Sequence, residues 1–374
     1  MVTIGFSSVS KSDEGAQVRV FLPTYRRPAL LPRALKSLLA QTFVAWKCEV
    51  HNDDPMDPFP AELVKSLGDS RIELHHHERN IGASASFNLF YRPTPEPFYG
   101  LLEDDNWWEP EFLDTMVAEM RSHPQVVMAW CNQKIWEELP DGSWRNTGLF
   151  VNAAEGLSTP RLAVFGNFRQ MLGSLHGNGA MLMRSRPGET YETPADWPFV
   201  AIEPLRERMI QHPLLFVPKP LAVYCKTLQT ARSENRAEWA VVQTILAATF
   251  LKHCGYSDLR LAAFFAEARN MRPPSTTAII LAALMETKCR RLLRYSRPLD
   301  WLLLFRGLVR RPHVFWQVLQ SRRHHPDWWN SLDRHSAARF EEQRLNSAKD
   351  SSPIKSNEAP AESDAAAVLD RRAR

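Results

Sequence analysis

Between residues 18 and 131, short apolar runs alternate with amphipathic ones, and this alternation constrains the fold more than anything else in the sequence. Residues 18–22, 48–52, 71–76, 98–102 and 125–131 have the length and apolar content of strands. Between them Leu31, Leu35, Leu38 and Leu39 recur at helical spacing, residues 61–67 read as a helix, and another runs from about Ser84 to about Tyr91. Glu109-Pro110-Glu111 open a fourth helix, with proline and acids in its first turn, that extends to Arg121. This order predicts an α/β fold, a mostly parallel sheet with helices on both faces. Such sheets bind ligands at the carboxyl ends of their strands. Two acid clusters fall there: Asp53-Asp54 after the second strand and Glu103-Asp104-Asp105 after the fourth.

Three consecutive carboxylates repel one another unless a cation or an ordered set of donors compensates them. Hard divalent cations such as Mg²⁺ and Mn²⁺ take carboxylate oxygens together with substrate phosphates. A solvated acidic turn ahead of a helix is the alternative, but two acid clusters on one sheet edge are harder to assign to solvent. His75-His76-His77 also resembles a metal tract, yet side chains alternate faces along a strand, so three adjacent histidines cannot share one site. Trp107 and Trp108 are expected to pack.

Five patches occur in order over about the first 115 residues: Phe-Leu-Pro-Thr-Tyr-Arg-Arg-Pro, Leu-Leu-Ala-Gln-Thr-Phe, Asn-Asp-Asp, Arg-Asn-Ile-Gly-Ala-Ser and Leu-Glu-Asp-Asp-Asn-Trp-Trp-Glu-Pro-Glu-Phe-Leu. The series resembles the family 2 glycosyltransferases of the GT-A fold. The resemblance implies a nucleotide-sugar donor, weighted toward uridine, one divalent metal (Mn²⁺ or Mg²⁺) and inversion at the anomeric carbon. It puts Pro23, Thr24, Tyr25 and Arg26 at the nucleotide, with Asp53 on the base or ribose and Asp54, Asn80, Gly82 and Glu103 around the same pocket. Asp104 and Asp105 take the DxD role, Asp105 on the metal. Two departures stand out: polar His51-Asn52 precede Asp53, where a hydrophobic strand is usual, and the motif's first position is Glu103 rather than Asp.

An inverting transfer also needs a carboxylate on the acceptor side to take the hydroxyl proton. Residues 172–184 are glycine-rich, then apolar, and resemble the family's acceptor floor, with His176, Gly177 and Asn178 as candidate contacts. A polar loop histidine is an equal reading of His176. The family places its base just ahead of a helix leading to a strand such as residues 214–221. That spacing favours Glu203, with Asp196 in reserve. A carboxylate placed for the helix dipole is a competing reading of Glu203.

The five cysteines are scattered without metal spacing, which fits a reduced cytosolic setting. Residues 1–17 are polar and lack the apolar core of a signal peptide, and no apolar run reaches the length of a membrane span. Residues 271–345 hold fourteen basic and six acidic residues, about +8 in a chain of net charge +4. Aromatic and aliphatic residues lie among these charges, as suits a peripheral segment on an anionic membrane surface; packing on the core or on a second subunit is the alternative. The resulting organisation is an arm (1–17), a transferase domain (18–265, donor half to 131, acceptor half from 132), a basic helical extension (266–345) and a disordered tail (346–374). The implied partners are a nucleotide-sugar donor and a saccharide or lipid-linked acceptor. No nucleic-acid recognition motif is present. A nucleotidyltransferase would want a glycine-rich loop after the first strand, where residues 23–28 have none. A non-catalytic binding subunit would not need Asp104, Asp105 and a base.

Overall fold

The computed structural model describes residues 15–152, 158–228, 236–271 and 275–350 of the chain. Strands β1 (Val18–Thr24), β2 (Trp46–Asn52), β3 (Ile72–His76) and β4 (Phe98–Leu101) alternate with helices α1 (Leu31–Leu39), α2 (Phe59–Leu67) and α3 (Ala83–Asn88). β1 pairs in parallel with β2 and β4, and β2 with β3, so the carboxyl ends of all four strands form one edge. β5 (Trp107–Trp108) and α4 (Phe112–Ser122) follow the acid cluster. Then come β6 (Met128–Glu138), β7 (Trp144–Phe150), β8 (Arg161–Ala163), α5 (Phe168–Leu172), β9 (Met181–Arg184), α6 (Phe199–Met209) and β10 (Leu214–Lys226). The sheet order is β3-β2-β1-β4-β9-β6-β10-β5, with β7 on β6 and β8 on β10.

The sheet is mixed. Its first four strands are parallel, as the alternation predicts. β9 enters antiparallel between β4 and β6, while β6 and β10 run parallel to each other. β1 is buried on both faces apart from half-buried Arg19, which is why its sequence is apolar at successive positions from Val20 to Pro23. Residues 136–147, turn-rich in sequence, form the β6–β7 hairpin, which turns at Gly142 with φ +79°. β10 extends well past residue 221 despite Pro218 and Pro220, which lack the N–H a ladder needs; the register shifts on both sides of Pro220.

One apolar core lies under α1 and α4, built from residues such as Val20, Leu35, Phe112 and Leu215. A second covers the opposite sheet face around Phe21, Phe90, Tyr99 and Met183. The third and largest is helical. It joins α5 and α6 to α7 (Arg236–His253), α8 (Asp258–Asn270), α9 (Thr276–Met285), α10 (Pro298–Arg310), α11 (Pro312–His324) and α12 (Pro326–Asp350). The junction expected near residue 265 falls inside α8. Phe165, ahead of α5, packs on Phe340 of α12 with ring centroids 5.1 Å apart, so the C-terminal helices share a core with α5 and α6. α12 runs to Asp350, past the start expected for the tail; residues 1–14, 272–274 and 351–374 lie outside the described residues. All five cysteines are free and buried.

Candidate active site

The carboxyl ends of β1, β2 and β4 bring the donor-side candidates together. At the end of β1, the Thr24 hydroxyl donates to Asp104 Oδ2 at 2.8 Å. Pro23 is buried in the strand, and Tyr25 is exposed just beyond it. Arg26 takes φ 55°, in the left-handed region that non-glycine residues rarely occupy, and donates from Nε to Asp54 Oδ2 at 2.6 Å. The Arg26 guanidinium, with the Met56 N–H, holds the Asp54 carboxyl below the usual carboxylate range.

Asp53 is buried and heavily engaged. Its Oδ1 accepts from Ile81 N at 2.8 Å and its Oδ2 from Gly82 N at 3.0 Å, while His77 Nδ1 sits 3.0 Å from Oδ1. It therefore fixes the loop carrying exposed Asn80 to the strand end. Gly82, at φ +80°, makes the turn into α3 that a side chain would strain. His75 and His77 share the sheet face of His51, which stacks on His75 at 5.0 Å, whereas His76 turns to Asn52 on the other side. Strand alternation requires this division.

The acid turn after β4 is clamped by residues that carry no local signal in the sequence. Asn106, buried, donates from Nδ2 to Glu103 Oε2 at 2.6 Å and accepts from Cys225 N of β10 at 2.8 Å. Arg33 of α1 donates to the Asp105 carbonyl at 2.8 Å, with its guanidinium 4.4 Å from the Trp107 ring and 3.9 Å from the Trp144 ring. Trp108 stacks on Phe112 at 4.2 Å and donates from Nε1 to the Gly179 carbonyl at 2.8 Å. The two tryptophans do pack, as expected, and each also holds part of the site. Asp104 keeps some exposure as a residue, but its carboxyl is crowded by protein. That desolvation, with the neighbouring Asp105 charge, outweighs the Thr24 hydroxyl and the Arg27 charge and pushes the carboxyl up to about 7. Arg27 itself keeps a buried Nη1 without a partner among the described residues.

The acceptor-side candidates meet the donor side at residues 174–180. Asn178 N donates to Glu203 Oε1 at 3.2 Å, and the Asn178 side chain accepts from Tyr91 Oη at 2.5 Å. On the other flank, a Cβ placed on Gly179 would lie 2.6 Å from Glu103 Oε2 and 3.1 Å from Asn106 Nδ2, so any side chain there would have to push the Glu103 carboxylate out of its hydrogen bond with Asn106. Glu103 and Glu203, a hundred residues apart in sequence, thus flank the same short loop. Glu203 is half-buried within α6 rather than ahead of it, and Pro204 follows it. Asp196 is exposed on the segment before α6.

His176 differs from the expected open contact: it is 1% exposed. Its Nδ1 is 2.9 Å from Glu207 Oε2, which also accepts from Leu175 N at 2.7 Å, while Gln170 donates to Glu207 Oε1 at 2.6 Å. Burial pushes the Glu207 carboxyl up, but the hydrogen bonds from His176, Gln170 and Leu175 outweigh it and hold the carboxyl below its usual range. The ionised carboxylate accepts from His176 Nδ1–H, leaving Nε2 buried without a partner among the described residues. Gly177 is half-buried and Asn178 buried, so the loop's side chains support the floor more than they line it.

Among the described residues no group of three or more His, Cys, Asp or Glu side chains is arranged to hold a metal ion. The donor set nonetheless fits a divalent cation shared with a ligand. Asp104 and Asp105 are adjacent hard oxygen donors, and at Asp104 the Thr24 hydroxyl and the Arg27 charge offset only part of the effect of burial and of the Asp105 charge; Mg²⁺-type sites complete such a shell from phosphates and water.

The family described as Glycosyl transferase family 2 matches residues 19–177. Over 103 residues the chain is 26% identical to UDP-Glc:alpha-D-GlcNAc-diphosphoundecaprenol beta-1,3-glucosyltransferase WfgD of Escherichia coli, covering 28% of this chain and 40% of WfgD. Over 128 residues it is 27% identical to protein CgeD of Bacillus subtilis (strain 168), covering 32% of this chain and 30% of CgeD. The chain thus spans less than half the length of the curated relatives it matches. In fold it is similar to S. aureus TarS 1-349, solved in complex with UDP, with a TM-score of 0.51 at 13% identity over 88% of this chain and 92% of that one.

Proposed function

We propose, from the premise that this chain is a glycosyltransferase with a family 2 domain of the GT-A fold, that it moves a sugar from a UDP-linked donor to a hydroxyl of a saccharide or lipid-linked acceptor with inversion. The observation that carries this reading is the convergence of Glu103, at the head of the acid turn, and Glu203 on the two flanks of the 174–180 loop. A donor-side carboxylate set and an acceptor-side carboxylate at one loop are what in-line displacement at a sugar carbon requires.

Asp105, supported by Asp104, would hold Mg²⁺ or Mn²⁺, which supplies Lewis-acid stabilisation to a departing diphosphate. Thr24 orients Asp104 from β1. Pro23, Tyr25, Arg26, Asp54 and Glu103 border the nucleotide, while Asp53 keeps Asn80 and Gly82 in place beside it. Glu203 takes the acceptor proton, with Asp196 as the alternative. His176, Gly177 and Asn178 form the floor beneath the acceptor, and the Glu207 carboxylate holds His176 in one orientation. A uridine donor and a polyprenyl-diphosphate-linked acceptor are supported by the name of WfgD, and the donor also by the five-patch resemblance.

A thermal-shift screen tests the donor. UDP-sugars with Mn²⁺ are expected to raise the melting temperature by several degrees at about a hundredfold over Kd, since ligation of the folded state alone adds about 2.7 kcal/mol there. A response to GDP- or ADP-sugars in place of UDP-sugars would reassign the base, and no response to any nucleotide sugar would overturn the donor. Gly179→Ala tests the loop. The added Cβ meets Glu103 Oε2, so transfer is expected to fall by about a hundredfold, the usual cost of an ångström-scale misplacement. Wild-type turnover in that variant would remove the loop from the mechanism.

A further inference from the structure

A continuous apolar surface lies on α10 and α11, away from the site. α10 buries one residue, Asp300, which Arg269 holds at 2.7 Å. Its Leu302, Phe305 and Val309, at helical spacing i, i+3 and i+7, are 60%, 61% and 64% exposed, and exposed Trp301 and Leu308 border them. On α11, Trp316 is 63% exposed and Leu319 follows one turn later, also exposed. The two helices close on each other at Gly307, where a Cβ would lie 3.2 Å from the Phe315 ring. α11 is tied to the body by buried Val318 and by Ser321, whose hydroxyl accepts from Trp329 Nε1 at 3.1 Å.

The hairpin itself is strongly basic, although Arg322 is paired with Glu286 of the helical body. Residues 297–324 hold six arginines against the single acid Asp300, a net +5, so with +4 for the whole chain the remainder is −1. Asp300 is buried and paired, which leaves no exposed acid on the hairpin. Arg306 and Arg310, one turn apart, flank the α10 stripe, Arg311 sits at the joint, and Arg323 continues the line of Trp316 and Leu319.

We propose that the α10–α11 hairpin docks on an anionic lipid bilayer, with Leu302, Phe305, Val309 and Trp316 at the headgroup–acyl boundary and Arg306, Arg310, Arg311 and Arg323 on lipid phosphates. An apolar stripe rimmed by arginines, on helices that do not span, is the pattern of an interfacial element. A second copy of the hairpin fits poorly, because +5 would face +5. A nucleic acid would leave the protruding aliphatic side chains in water. Arg339 on α12, by contrast, is buried and takes no part in this surface. The proposal is independent of donor, acceptor and metal.

The test is co-sedimentation of the full chain with phosphatidylcholine vesicles and with vesicles containing phosphatidylglycerol, at low and high salt. Binding is expected only to the anionic vesicles, weakened by salt. Arg306→Gln, Arg310→Gln and Arg311→Gln together are expected to lower partitioning by about a hundredfold at low salt, from about fivefold per arginine. Leu302→Ser, Phe305→Ser and Val309→Ser together are expected to lower it by at least about tenfold at either salt. All six positions are exposed, so melting temperatures and UDP-sugar binding stay at wild type; Arg310→Glu alone serves if a triple variant melts early, with partial loss expected. The proposal fails if wild type ignores anionic vesicles, if the variants bind as wild type does, or if sedimentation instead reveals a dimer that the serine variant dissociates. A protein that binds vesicles but no nucleotide sugar would leave this inference standing and remove the transferase donor.

Discussion

Asp105→Ala is expected to cut sugar transfer by about a thousandfold while leaving the fold in place. Donors aimed at developing charge are worth about 10²–10³ each, and a metal ligand acts through the same charge. The turn should survive the change because the Asp105 backbone carbonyl, which accepts from Arg33, is kept in the variant. Activity in a variant that melts as wild type does is the measurement; wild-type turnover, or a wild-type enzyme indifferent to EDTA, sinks the metal assignment. The same variant has a second readout. Asp105 helps push the Asp104 carboxyl up to about 7, so its removal should bring that carboxyl down.

The raised Asp104 carboxyl also sets a pH dependence. Below about 7 it holds a proton in the folded chain that the unfolded chain has already lost, so the metal-free fold loses stability as pH rises from about 4 toward 7. A cation must displace that proton, so Mn²⁺ affinity should rise from pH 6 to pH 8, as calorimetry in two buffers would detect. A flat profile would place the metal elsewhere.

Glu203→Gln is expected to lower turnover by about 10²–10⁴-fold with donor binding unchanged, the usual cost of losing a positioned base. The amide is the same size and can still accept from Asn178 N, so the loop stays in register. Asp196→Asn, on an exposed segment, is expected to be close to neutral. If Asp196→Asn instead shows the deep loss and Glu203→Gln does not, the base is Asp196.

The parallel half of the sheet was legible because its signals are local: apolar runs, leucines at helical spacing, and acids where strands stop. The two acid clusters followed from that, Thr24 came from the five-patch resemblance, and the structure gathers Thr24, Asp53, Asp54 and Glu103–Asp105 on one edge. What escaped is held by long-range contacts. β9 reaches β4 across some eighty residues, and no periodicity announces an antiparallel partner. Arg33 and Asn106 look like an ordinary helix arginine and a turn asparagine until Trp144 and Cys225 arrive from distant strands. Glu207 did leave a trace. It stands four residues after Glu203, on the same helix face, and two acids at that spacing aimed at one loop were there to be read. The burial of His176 was not, because only that carboxylate draws the ring inward.

Pro204 divides α6 into two turns with different tolerances. It has no N–H to give to the carbonyl of Val200, so the turn carrying Glu203 is coupled to the next by one hydrogen bond fewer than a regular helix provides. The following turn is clamped: Glu207 by three donors, and Arg208 by the carbonyls of Gln170 and Pro204. A substitution beside Glu203 is therefore expected to shift the first turn, which packs on the helical core through Val200 and Ala201, more than the second. On the proposed assignment of Glu203 as the base, such a shift would change which hydroxyl it meets while the clamped turn holds its place.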